Sequence, residues 1–143
     1  MNRWETWLRL VLRITGIVAL PAIVAVFMPR EWMAAIHAWL GLGQFPAGPI
    51  VEYLARGLSA FYAMLGGLVL LVSFDVRRHE QVIRYLAVVG LVFGVVIFAI
   101  DLLIGLPLFW TVGEGPATVA LSAAILILQW RAKAAEPPAG NSR

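Results

Sequence analysis

The stretch IRYLAVVGLVFGVVIFAIDLLIGL, Ile83–Leu106, decides the fold. It is almost uninterrupted in apolar residues and exceeds the roughly 20 residues that a helix needs to cross about 30 Å of hydrocarbon. Further apolar runs cover about Leu10–Met28, Val51–Phe74 and, more briefly, Ala117–Trp130. The sequence therefore predicts an all-α integral membrane four-helix bundle, with residues 1–130 forming one transmembrane domain.

The composition excludes several other classes of protein. Of 143 residues, 62% are hydrophobic and 13% charged, which is too apolar for a soluble domain of this size. The chain has no cysteine, so disulfide exchange, thiolate metal sites and cysteine nucleophiles are excluded. The net charge is +3, but the basic residues flank the apolar runs instead of gathering on one soluble face, so no nucleic-acid partner is expected.

The segment between the first two spans, about residues 30–41, predicts a short amphipathic helix in the membrane interface. Its bulky apolar residues fall on one helical face. They are Trp32, Met33, Ile36, Trp39 and Leu40.

The remaining connections are short. Asp75–Gln81 is brief enough to join antiparallel neighbours, and Gly and Pro in Leu108–Pro116 predict a turn. Residues 131–143 are predicted to be a disordered cytoplasmic tail. Pro21, inside the first run, is expected to kink that helix. No cleavage pattern follows this run, which favours an uncleaved span over a signal peptide.

The distribution of charge predicts the topology. With both termini in the cytoplasm of a plasma (inner) membrane, nine basic residues lie inside and only Arg30 and Arg56 lie outside, in agreement with the positive-inside rule. The nine inside residues are Arg3, Arg9, Arg13, Arg77, Arg78, Arg84, Arg131, Lys133 and Arg143.

A few polar residues interrupt the apolar spans and are candidates for a site. Asp101 lies in the third span, roughly 27 Å from its start at about 1.5 Å per residue, and thus near the outer surface. Glu52 and Arg56 share a face of the second span at i, i+4, and Glu114 is expected at a similar depth. We therefore predict an outer-leaflet ligand or ion-pair cluster. Its members are Glu52, Arg56, Asp101 and Glu114, lined by Tyr53, Ser59 and Tyr62.

Two interpretations of this cluster stay open. Arg56 clamps the outer helix ends through ion pairs, or the cluster is a small-ligand or proton site that opens outward.

Small residues at intervals of four predict close packing of helices. They are Ala63, Gly67, Gly90, Gly94, Ala120 and Ala124. His37 and His79 are expected on opposite sides of the membrane, so neither a bis-His haem nor a metal site is predicted, and no cofactor is expected.

The stretch EYLARGLSAFYAMLGGLVLL, Glu52–Leu71, resembles DoxX-like small membrane proteins and related four-helix families in its acid and Arg before a Tyr-containing, Gly-rich helix. The resemblance implies a four-helix bundle. Some DoxX-like proteins are described as accessory subunits of quinone-linked oxidoreductases, so the resemblance also implies a role of that kind.

Three functional classes follow from these observations. The first is a non-catalytic accessory or assembly subunit that packs against a larger membrane protein or forms a homo-oligomer within the lipid bilayer. The second is a small proton-coupled transporter or outward-facing ligand-binding protein that uses Asp101, Arg56 and Glu52. The third, a lipid-modifying enzyme, ranks last because convergent buried acids and amides are lacking.

Overall fold

The structure, a computed structural model, describes residues 2–135 and is helical in every regular element of that range. The elements in chain order are α1 (Arg3–Ala19), a 3-10 turn (Leu20–Ala22), α2 (Ile23–Val26), α3 (Arg30–Trp39), α4 (Pro49–Val72), α5 (Glu80–Ile104) and α6 (Leu108–Ala134).

Four helical segments are long and apolar enough to cross a membrane: Arg3–Val26, Pro49–Val72, Glu80–Ile104 and Leu108–Ala134. This confirms the all-α fold with four candidate spans that the sequence predicts, as expected of a multi-pass membrane protein. The first span is interrupted by the 3-10 turn that contains Pro21, a residue without the backbone N–H that a continuous α-helix requires.

Local sequence explains where the helices begin and end. The Asn2 side chain accepts a hydrogen bond from the Glu5 backbone N–H at 3.0 Å and caps the start of α1. Gly105 ends α5 in the left-handed conformation (φ 72°), and Pro107 immediately precedes α6. These residues make the connection between α5 and α6 very tight.

The helices associate as two pairs. The first span packs along α4, α5 packs along the whole of α6, and α1 also contacts α6, whereas α4 and α5 touch only slightly. The buried apolar core lies at the end of the molecule where α1 starts and α6 finishes, which we call the basic end. Its members are Leu8, Leu12, Val69, Val72, Val76, Ile83, Ala87 and Ile125.

Polar contacts tie the two pairs together at the basic end. Arg77 pairs with the buried Glu5 at 2.6 Å, and Asn2 donates to the Ala132 carbonyl at 2.8 Å. Within the second pair, Gln129 of α6 also donates to the Glu80 carbonyl of α5 at 2.6 Å. The opposite end, which carries α3 and which we call the α3 end, has no comparable core among the described residues.

Glycines allow the closest helix contacts. A Cβ added at Gly115 would lie 2.6 Å from the Phe98 Cβ and 2.7 Å from the Gly94 carbonyl oxygen. In the other pair, a Cβ at Gly66 would lie 2.8 Å from the Ala19 Cβ. The backbones therefore touch at these positions, and any larger side chain there would force the helices apart.

The segment after Pro107 differs from its predicted form. The expected turn over Leu108–Pro116 is wrong, because α6 begins at Leu108 and runs through this segment. The glycine at position 115 provides a close contact with α5 instead of a turn. Intrahelical hydrogen bonds also satisfy backbone groups that the lipid would leave unpaired.

The other end of α6 also extends further than predicted. Helix α6 continues through Ala134, so the first residues of the predicted disordered tail are helical. The rest of that tail, residues 136–143, lies outside the described residues, as does Arg143 of the topology prediction.

Candidate functional site

The residues predicted to form one cluster lie in three separate places at the α3 end. Glu52 and Arg56 join Arg30 in one ion-pair group. Asp101 is buried between α5 and α6. Glu114 lines a cleft with Tyr62. The three places differ in their partners, and so in the chemistry they support.

The group of Arg30, Glu52 and Arg56 holds the start of α4 against the chain that precedes it. The Glu52 carboxylate lies 2.6 Å from the Arg30 guanidinium and 3.6 Å from that of Arg56. Arg56 also donates to the Val26 carbonyl at 2.5 Å, and Arg30 donates to the Pro46 carbonyl at 3.3 Å. The Val26 carbonyl belongs to the end of α2 and lacks an intrahelical partner, so this group acts as a clamp on helix ends.

Asp101 faces the α5–α6 contact instead of this clamp. Its side chain is 4% exposed, and its Oδ2 atom is buried with no hydrogen-bond partner among the described residues. Among the described residues, Asp101 forms no ion pair with Arg56. Asp101 is also not among the residues that line the cleft beside Glu114.

Glu114 lies on α6, six residues after the helix begins, or roughly 9 Å along it. The Trp110 indole Nε1 donates to one carboxylate oxygen at 2.6 Å, and the Tyr62 hydroxyl donates to the other at 3.4 Å. The backbone carbonyl of Glu114 accepts a hydrogen bond from the Thr118 hydroxyl at 2.8 Å. Residues on two different spans thus fix the carboxylate in one orientation.

The cleft itself lies between α4 and α6, where the two helix pairs diverge. It has a volume of about 400 Å³ and is lined by Tyr62, Phe109, Trp110, Gly113, Glu114 and Thr118. The Phe109 and Trp110 rings lie edge to face with centroids 6.5 Å apart. Three aromatic side chains therefore surround one carboxylate.

This arrangement favours a cation. Within residues 2–135, Glu114 has hydrogen-bond donors but no basic side chain as an ion-pair partner. The faces of Trp and Tyr rings attract cations. An ionised acid within a spanning helix costs free energy, which a bound cation would offset. The described residues hold no group of three or more His, Asp or Glu side chains that would bind a metal ion. An organic cation fits the cleft better than a bare metal ion.

The other predicted residues lie elsewhere. Tyr53 is 70% exposed and does not line the cleft, and Ser59 is half-buried. The His37 ring contacts the Gly43 carbonyl in the segment between α3 and α4. The His79 ring contacts the Asp75 carbonyl in the segment between α4 and α5.

Of the predicted packing residues, some lie in helix contacts and others do not. Gly90 and Gly94 lie against α6, and Ala63 is buried. Gly67 is not closely packed, since its neighbour Gly66 makes the close contact instead. Ala124 is half-buried and Ala120 is exposed.

Sequence reasoning missed Arg30, Phe109 and Trp110 as members of the two polar groups. The i, i+4 spacing of Trp110 and Glu114 indicates that they share a helical face. The prediction of a turn over this segment left that spacing without meaning.

No family model, curated protein or solved structure matches this chain.

Proposed function

We propose that this chain is a non-catalytic, multi-pass protein of the plasma membrane that binds a small organic cation in the Glu114 cleft. The observation that carries the proposal is the Glu114 carboxylate. It is oriented by Trp110 and Tyr62, faces a cleft of about 400 Å³, and has no basic partner among the described residues.

The charge of the two ends supports an orientation with the basic end in the cytoplasm. Eight Arg and Lys side chains of the described chain belong to the basic end, against Arg30 and Arg56 at the α3 end. By the positive-inside rule, the cleft then opens toward the outer leaflet. A ligand would enter from the outside or from the lipid, and the closed core at the basic end would prevent its passage.

The depth of Glu114 supports binding rather than a purely structural role. If Arg131 marks the inner boundary of about 30 Å of hydrocarbon, the outer boundary falls near residue 111, and Glu114 lies about one turn inside. A charge at that depth is expensive, and the described residues offer the carboxylate two hydrogen bonds to offset the cost. A bound cation would compensate it.

The test is a binding measurement with a matched pair of probes. Benzyltrimethylammonium carries the charge, and neopentylbenzene is its uncharged carbon isostere. With the protein in lipid nanodiscs and empty nanodiscs as the blank, titration calorimetry is expected to detect the ammonium in clear preference to the isostere. Glu114→Gln should weaken ammonium binding about 10- to 100-fold, since a carboxylate and a quaternary ammonium about 5.5 Å apart attract each other by about 3 kcal/mol at an effective dielectric constant of about 20, and by less where water screens them.

The matched control is Glu31→Gln, which removes one negative charge from an exposed position at the same end. Its effect should stay within about twofold, as expected for a screened surface charge. Equal binding of both probes, or equal loss in the two variants, would contradict the proposal.

A second candidate is an accessory subunit of a larger membrane complex, the function implied by the resemblance of Glu52–Leu71 to DoxX-like proteins. It is favoured by the gap between the two helix pairs, because α4 and α5 barely touch and a partner's helix would fit beside them. Extraction into polymer nanodiscs from native membranes distinguishes the two. A stoichiometric partner supports the subunit, and a solitary chain that binds ammonium supports the ligand-binding protein.

A further inference from the structure

Helix α1 carries two arginines within an apolar run. Arg9 and Arg13 are one turn apart and share a face of the helix. If the outer boundary of about 30 Å of hydrocarbon lies near Phe27, the inner boundary falls near residue 7 at about 1.5 Å per residue. Arg9 then lies about 3 Å inside this boundary, and Arg13 lies about 9 Å inside it, between one and two turns into the hydrocarbon.

Neither guanidinium has a counter-charge within the part of the chain that the structure describes. Among residues 2–135, Arg9 and Arg13 make no hydrogen bond or ion pair, and their Nε atoms are buried without a partner. The one contact of note is aromatic, since the Arg13 guanidinium lies 5.4 Å from the centroid of the Phe74 ring at the end of α4. Both side chains are half-buried.

Three other bases at the same end are in ion pairs. Arg77 bonds to Glu5 at 2.6 Å, and Lys133 lies 3.2 Å from the Glu80 carboxylate, which Arg84 also contacts. Glu5 and Glu80 are therefore already engaged by other bases, and Arg9 and Arg13 are left without an ion pair among the described residues.

An arginine side chain cannot escape this position by losing its proton, because it stays charged in proteins. Two adjacent, partly desolvated positive charges therefore require an anion from outside the chain. Side chains on a helix lean toward its N-terminus, so both guanidinium groups extend toward the basic end, where lipid headgroups lie. The planar fork of arginine matches the geometry of phosphate oxygens.

We propose that Arg9 and Arg13 form a binding site for the phosphate of an anionic phospholipid, with the Phe74 ring beside it. A lipid with a net negative charge is favoured over a zwitterionic one, because the latter brings its own cation to the site. This site lies at the opposite end of the molecule from Glu114 and does not depend on the function proposed for that cleft.

The test compares lipid retention between variants. The full chain, purified in detergent, is titrated with dioleoyl phosphatidylglycerol or dioleoyl phosphatidylcholine, and bound lipid is counted by native mass spectrometry. The wild type is expected to prefer the anionic lipid at least tenfold. Arg9→Gln with Arg13→Gln should reduce that preference at least fivefold.

The control removes the same charge from exposed positions at the same end, by Arg78→Gln with Arg131→Gln. It should keep the preference within twofold. An unchanged preference in the first double variant, or an equal loss in the control, overturns the proposal and indicates a general attraction to the basic end.

Two further arms complete the experiment. Inorganic phosphate at millimolar concentration should not displace the lipid, and displacement would assign the site to free phosphate instead. If the glutamine pair does not fold, Arg9→Lys with Arg13→Lys decides the question, because lysine keeps the charge but lacks the fork. A loss of preference of at least threefold supports the proposal, and no loss overturns it.

Discussion

The contact of α6 with α5 gives a sharp test of the fold, because two glycines of α6 lie two residues apart in opposite surroundings. A Cβ at Gly115 would lie 2.6 and 2.9 Å from the Cβ and Cα atoms of Phe98 and 2.7 Å from the Gly94 carbonyl oxygen. A Cβ at Gly113 would have no atom within 4 Å. Gly115→Ala is therefore expected to push α6 away from α5, whereas Gly113→Ala is accommodated without a clash.

The magnitudes follow from the nature of the neighbouring atoms. Two of the three atoms near Gly115 are backbone, so a local rotamer change cannot relieve the clash, and overpacking of this kind costs about 1 to 3 kcal/mol. Gly113→Ala should instead gain up to about 1 kcal/mol, since alanine favours the helix over glycine. The free energies of unfolding of the two variants are expected to differ by about 1 to 4 kcal/mol.

The assay is reversible unfolding in mixed micelles with increasing dodecyl sulfate, followed by circular dichroism. Gly57→Ala on α4 is a second control, because a Cβ there would also meet no atom within 4 Å. Equal stabilities of the Gly115 and Gly113 variants would refute the α5–α6 packing and would favour a loop over residues 108–116.

Three more substitutions have defined outcomes. Arg77→Gln leaves the buried Glu5 carboxylate with a weaker partner and should lower the free energy of unfolding by about 1 to 3 kcal/mol in the same assay. The control Arg78→Gln should change it by less than about 0.5 kcal/mol. Similar losses in the two variants would contradict a stabilising ion pair between Arg77 and Glu5. Asp101→Asn removes an unpartnered buried carboxyl and should raise the unfolding midpoint; a lower midpoint would indicate an unseen partner. Glu52→Gln weakens the pairing with Arg30, so amide hydrogen exchange should accelerate in residues 30–48 and stay unchanged in α6; unaltered exchange would argue against the clamp.

The four spans were predictable because an apolar run of the right length has few alternatives in a chain this hydrophobic. The predicted third span, Ile83–Leu106, differs from α5 by about one turn at its start. The first part of α6 was not predictable from the same rule, since Gly113, Gly115 and Pro116 resemble a turn in water. The structure shows that Gly115 allows the backbones of α5 and α6 to approach closely. That distance between the helices cannot be read from the sequence.

The site was harder to predict than the spans because it depends on which way each helix faces. Glu52 and Arg56 lie on one helix at a spacing that ensures their contact, so their pairing follows from the sequence. Asp101 shares a helical face with Gly90 and Gly94, but the sequence does not show which helix packs against that face. The meeting of Tyr62 with Glu114 joins two helices that are distant in sequence, and only the packing of the pairs reveals it.

Labelling of single introduced cysteines tests most directly whether the cleft between α4 and α6 binds an organic cation at Glu114. The chain has no native cysteine, so Gly113→Cys introduces a single thiol in the cleft lining, and Gly57→Cys introduces one outside it. The measurement is the rate of maleimide labelling in nanodiscs with and without benzyltrimethylammonium. The ammonium is expected to slow labelling at position 113 several-fold, to leave position 57 unaffected, and to lose its effect when Glu114→Gln is added. Equal labelling of position 113 with and without the ammonium would contradict binding in the cleft.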